Sequence, residues 1–189
     1  MARDATRAGK GDSLTIRLDA KTRFILEYLS RLRGQTITTI VERSLVAAAE
    51  ASKIEDPTEF GGELGWDDFW DVSEGVRALR LSRHRAFFPT YDEDRRLAFV
   101  KQHWPFFAFD RDLKTFNNEY VDLFWPDIDA LVQLQEDQRS RNANAAAERM
   151  MKMLEQGNYQ KPNWPPPPPP APKDLGRRGA RDLDDEIPF

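Results

Sequence analysis

A chain of 189 residues has room for one ordinary domain, or for a small module with a second compact segment and a tail; 40% hydrophobic and 32% charged residues point to a hydrophilic helical protein, part of it unfolded. It has no cysteine, which excludes disulfides, zinc–thiolate sites and thiol chemistry. The net charge of −4 conceals an asymmetry: residues 1–53 hold ten Lys/Arg against six Asp/Glu, whereas residues 54–172 hold 14 against 21, so a polyanion would be met at the N-terminus.

No apolar run approaches the roughly 20 residues that span a bilayer. The opening MARDATRAGKGD lacks the apolar core of a signal peptide. The expectation is a cytoplasmic protein with no membrane association. Residues 1–12 are polar and basic and read as a flexible arm. In residues 13–19, SLTIRLD, Leu14, Ile16 and Leu18 alternate with Ser13, Thr15 and Arg17, the pattern of a half-buried strand. Asp19 is placed to cap a helix of about fourteen residues with Phe24, Ile25, Tyr28, Leu29 and Leu32 on one face, ended at Gly34. Thr36 caps a second helix whose inward stripe is Ile37, Ile40, Val41, Ser44, Leu45 and Ala48. Asp56-Pro57 and Gly61-Gly62 mark a break.

Residues 64–157 are different in kind. They are dense in Trp and Phe and predict short helices separated at Pro89, Pro105 and Pro126, then one longer helix over 127–157 ended at Gly157. Aromatics interleaved with basic residues can stack single-stranded bases. The acidity of this region as a whole argues instead for a helical core or a partner-binding surface. His84 and His103 have no ligand-like spacing and read as surface residues, and the carboxylates as solvated helix faces. No nucleophile–base pair, Gly-rich phosphate loop or metal cluster appears, so no enzyme, metal or cofactor is expected. From 158 to 181 the chain reads as a Pro-rich disordered linker. Pro165–Pro170 form an unbroken run that favours polyproline II, at about 3.1 Å per residue.

One strand and two helices in some forty residues cannot bury a core alone. Two chains that pair their strands antiparallel and interlock their helices remove the difficulty, and the resulting ribbon fits a major groove about 12 Å wide. By pattern alone, a strand and two amphipathic helices also fit a fragment of an α+β domain. The stretch LTIRLDAKTRFILEYLSRLRGQTITTIVERSL resembles the ribbon-helix-helix family of bacterial and phage regulators, of the Arc/MetJ/CopG type. The resemblance runs without a gap from Leu14 to about Ala49 and departs from the family at Thr22, where an apolar residue is usual. It implies a mainly α chain with a dimeric β-α-α module at 13–53. Thr15, Arg17 and Ser13 would read bases, and the backbone N–H groups around Thr36, Ile37 and Thr38 would hold a phosphate.

The last residues, DLDDEIPF, form an acidic tip over 182–189. They resemble the C-terminal tip of bacterial single-stranded-DNA-binding proteins, which docks onto replication, recombination and repair enzymes. Phe189 offers a ring and a terminal carboxylate together, Pro188 limits the free conformations beside Ile187, and Asp184, Asp185 and Glu186 steer towards basic surfaces. Two functions follow as expectations. One is sequence-specific binding of double-stranded DNA by a homodimer, or a higher oligomer on DNA, that represses transcription, its own gene included. There the middle segment would bind a partner, as an antitoxin does its toxin. The other is a nucleoid-associated adaptor in replication, repair or plasmid and phage maintenance that recruits a host enzyme through the tip.

Overall fold

The computed structural model describes residues 15–56 and 61–166. The arm 1–12, Ser13, the linker beyond 166 and the tip residues Asp184, Asp185, Glu186, Ile187, Pro188 and Phe189 lie outside the described residues. The described chain is mainly helical and divides into two compact units after Trp70.

In the first unit, α1 (Ala20–Arg33) starts where Asp19 accepts the Thr22 N–H at 2.9 Å and the Thr22 hydroxyl at 2.8 Å. Thr22, the departure from the family pattern, is thus engaged in the cap. Gly34 ends α1 at φ +60°, a left-handed conformation in which a side chain is strained. The Gln35 N–H donates to the Ser30 carbonyl at 3.0 Å, closing the helix end. Thr36 then opens α2 (Ile37–Ala51), its hydroxyl oxygen accepting the Thr39 N–H at 3.2 Å. Residues 15–19 enter no ladder among the described residues; a strand needs a neighbour, and the sheet the unit does form lies elsewhere. That sheet is an antiparallel pair, β1 (Ile54–Glu55) and β2 (Glu63–Leu64), with Ile54 opposite Leu64. The break expected at Asp56 and Gly62 is therefore the mouth of a hairpin, where the Asp56 N–H donates to the Gly62 carbonyl at 2.8 Å. A single turn, α3 (Trp66–Phe69), follows.

The second unit contains α4 (Glu74–Ser82), α5 (Tyr91–Gln102), α6 (Asn118–Phe124), α7 (Ile128–Gln138) and α8 (Ala145–Gln156). Pro105 and Pro126 fall in 3₁₀ turns, Trp104–Phe106 and Trp125–Asp127, and Pro89 precedes the Thr90 cap of α5, so all three separate helices as the sequence predicts. Phe106, Phe107 and Phe124 are wholly buried and meet edge to face, with ring centroids 6.2 Å (Phe106–Phe124) and 5.6 Å (Phe107–Phe124) apart. Val76, Leu79, Val100, Val121, Met150 and Leu154 complete the centre. At Gly75 a Cβ would stand 2.6 Å from Val121 Cγ1 and 2.8 Å from Trp125 Cδ2, so α4 packs against this region through a missing side chain. Two bidentate pairs, Arg95–Glu136 and Arg96–Asp129, tie α5 to α7.

Three expectations are corrected here. The single long helix over 127–157 is two, because Ser140, Asn142 and Asn144 favour local bonds over helix: Asn142 Oδ1 accepts the Asn144 N–H at 3.0 Å, and Gln135 Nε2 donates to the Ala143 carbonyl. His103 is not a surface residue. It is fully buried, with Nδ1 3.1 Å from the Phe99 carbonyl, its ring stacked on Trp164 at 5.2 Å and its Nε2 without a partner. Desolvation there pushes the His103 pKa down. The start of the expected linker is also structured: Trp164 packs on His103 and Phe106, Tyr159 meets Tyr120 edge to face, and the Tyr120 hydroxyl donates to the Gln160 carbonyl.

Candidate nucleic-acid interface

The base and phosphate contacts expected from the sequence lie on the first unit. Thr15 and Arg17 are both exposed, in the stretch leading into the Asp19 cap. Their alternating partners Ile16 and Leu18 are exposed as well, so neither face of this stretch is covered in one chain. Ser13, the third expected base contact, falls outside the described residues.

Thr36 is spent on the helix start: its hydroxyl oxygen accepts the Thr39 N–H, and its carbonyl accepts the Ile40 N–H at 3.0 Å. The N–H groups of Ile37 and Thr38 belong to the first turn, which has no acceptor within its own helix. No acidic side chain occupies that turn. Arg31 and Arg33 lie in the last turn of α1, at the negative end of its dipole, and the positive end of the α2 dipole meets the same turn.

The apolar faces that should lie beneath such an interface are open. Ile40 is the one fully buried side chain of α1 and α2. Phe24 is 65% exposed, Leu32 66% and Leu45 65%, with Ile25, Tyr28 and Ile37 also exposed. Phe24 and Tyr28 stack one turn apart, ring centroids 6.4 Å, and with Leu32 line an open groove along α1. Of the stripe expected to face inward from α2, Ile37, Ser44, Leu45 and Ala48 are exposed, while Ile40 is buried and Val41 half-buried.

Among the described residues no cluster of three or more His, Asp or Glu is disposed to hold a metal ion, and no helix is long and apolar enough to cross a membrane. The aromatic residues that sequence reasoning left undivided fall into two sets. Phe106, Phe107 and Phe124 are core; Phe88 is 88% exposed and Tyr91 78%. The window from Gly75 to Tyr91 holds four Arg and no carboxylate inside an acidic region, but exposure does not follow charge, since Phe109 and Trp70 are exposed beside carboxylates. No family model, no curated protein and no solved structure matches this chain.

Proposed function

We propose that the chain is a homodimeric, sequence-specific binder of double-stranded DNA that represses transcription through an N-terminal ribbon-helix-helix module. The observation that carries this reading is the uncovered apolar face of α1 and α2, with Phe24, Leu32 and Leu45 each about two-thirds exposed. Contiguous apolar surface of this kind marks an interface, and it lies on the helices that the dimer would interlock. Pairing two copies gives residues 15–19 a strand neighbour, which they lack among the described residues. Thr15 and Arg17 then project from the ribbon, and Arg17 can donate a bidentate pair to guanine O6 and N7. The turn at Thr36, Ile37 and Thr38 takes a backbone phosphate, which positions the ribbon without specifying sequence.

The experiment is selection from a random duplex library at stated salt. A recovered repeated half-site supports the reading; recovery of unrelated sequences in proportion to length sinks it.

A second reading, the adaptor, rests on the tip. Four acidic side chains fall within Asp182–Phe189, next to Ile187, Pro188 and Phe189. In this reading the module marks a DNA site and the tip brings a replication or repair enzyme to it. Deleting Ile187–Phe189 leaves duplex binding intact and abolishes capture of such an enzyme. Unchanged capture of replication and repair proteins after that deletion removes the adaptor role.

A further inference from the structure

The second unit presents an aromatic turn that its core does not use. Between α4 and α5 a 3₁₀ turn, Arg85–Phe87, ends at Phe88, whose φ of 51° and ψ of 58° place a bulky side chain in the left-handed region. Such a conformation is disfavoured for any residue with a Cβ, and Pro89 adds the extended bias of a pre-proline position. The Phe88 N–H donates to the Arg85 carbonyl at 3.0 Å, which holds the turn. The result is a ring 88% exposed, next to Phe87 at 40% and Tyr91 at 78%. Strain that places an apolar ring in water is of no use to the fold and points to a ligand.

The polar groups around these rings are of two kinds. Arg83 spends one N–H on the Leu113 carbonyl and has no carboxylate within ion-pair distance among the described residues. Arg85 pairs with Asp94 at 3.1 Å, and the Tyr91 ring lies 5.7 Å from the Arg95 guanidinium. Beside these donors the first turn of α5 contributes three carboxylates, Asp92, Glu93 and Asp94. Arginine alone would suit a phosphate backbone, but this row of carboxylates opposes one. A ligand with apolar faces, unpaired carbonyls and adjoining cations fits all three features.

The chain contains such a segment. Pro165–Pro170, with Pro172, offers proline rings and carbonyls that polyproline II leaves without internal hydrogen bonds, and Lys173, Arg177 and Arg178 follow it. Trp164, stacked on buried His103, anchors the start of the run. Polyproline II is stiff, so a run of this composition is a pre-organised ligand that loses little conformational entropy on docking. We infer that the surface of Arg83, Arg85, Phe87, Phe88, Tyr91 and Asp92 is a docking site for the proline run of a second copy of this chain. The rings of Phe88 and Tyr91 take the prolines, the Arg83 guanidinium and Tyr91 hydroxyl donate to their carbonyls, and Asp92, whose side chain is 68% exposed and held only by a 3.6 Å pair with Arg95, faces the basic residues beyond, while Glu93 caps α5 at Thr90 and Asp94 pairs with Arg85. The second-copy source rests on the homodimer proposed above; the surface itself does not.

The test uses a labelled peptide of residues 163–178, titrated with the full chain in which residues 166–170 are replaced by Gly and Ser so that its own run does not compete. Binding saturates, weakens with salt, falls about thirtyfold for Phe88→Gly, the loss typical of an aromatic anchor, and persists for Phe88→Trp. Because glycine relieves the left-handed strain, Phe88→Gly keeps or raises the melting temperature, and lost binding is not lost folding. A second arm compares association of the wild-type chain and the run-replaced chain by sedimentation. Weaker association without the run supports the second-copy source, and Leu45→Ala separately reports the N-terminal dimer. The inference is overturned if the peptide does not bind, if it binds Phe88→Gly equally, if an oligothymidine strand takes the Phe88 surface in its place, or if association ignores the run.

Discussion

Leu45 distinguishes a module that is complete in one chain from one completed by a second copy. Its side chain is 65% exposed on α2 in the single chain. If that exposure persists in solution, Leu45→Ala changes stability by less than about 0.5 kcal/mol, because alanine suits an exposed helical position at least as well as leucine. If a second copy covers it, the deletion removes buried carbons and leaves a cavity, a loss of about 2 kcal/mol per protomer at the low end for Leu→Ala. Symmetry doubles this to about 4 kcal/mol per dimer, or roughly a thousandfold in Kd. Sedimentation equilibrium measures that shift directly, and the dependence of the unfolding midpoint on protein concentration measures it again. Arg43→Ala, on the polar face of the same helix, is the control and moves neither by more than about 0.5 kcal/mol. A Leu45→Ala chain that associates as strongly as the wild type refutes the reasoning, and so does a wild-type chain that stays monomeric at tens of micromolar.

Gly75→Ala drives a Cβ to 2.6 Å from Val121 and destabilises the helical unit by about 1–3 kcal/mol, read from chemical denaturation. His103 gives the same unit an acid dependence. The unfolded chain takes up a proton near the ordinary value of 6.5, while burial holds the folded-state pKa lower. Stability therefore declines as pH falls below about 6.5, at up to about 1.4 kcal/mol per pH unit until the folded pKa is reached, and His103→Phe flattens this part of the profile. The carboxylates do not confuse the window. Asp129 is held low by its hydrogen bonds from Arg96, so its contribution is present above the ordinary value of 3.8 and is lost only below it. Trp164→Ala removes the half-buried ring stacked on His103 and lowers stability by roughly 2 kcal/mol, about half the loss for a fully buried ring, measured by thermal unfolding.

The parts of this fold legible in the sequence are those specified by neighbours in the chain. Asp19, Gly34 and Thr36 act within a few residues of themselves, so α1 begins and ends, and α2 begins, where capping chemistry places them. Pro105 and Pro126 likewise act on their own turns. What escaped was set by contacts distant in sequence or by competition between local signals. The interruption at 139–144 depends on Gln135 reaching the Ala143 carbonyl, against an alanine-rich composition that favours one continuous helix. His103 becomes a core residue because Trp164, sixty-one positions later, covers it; composition made that later segment read as linker. For the expected base contacts, sequence and structure meet only in part. Thr15 and Arg17 are exposed, and the turn at Thr36 is built as capping predicts, but residues 15–19 pair with no strand among the described residues, and the proposed ribbon requires a second chain.

The central claim, that a paired ribbon reads duplex sequence, is tested most directly by competition binding of the full chain at fixed, stated salt. A labelled duplex carrying the selected half-sites competes with a scrambled duplex and with a single strand, and Arg17→Ala is run alongside. The account predicts preference for the half-site duplex, a loss of about 1–3 kcal/mol in Arg17→Ala for that duplex, and little change for the scrambled one. Equal affinity for both duplexes, or a preference that survives Arg17→Ala undiminished, contradicts it.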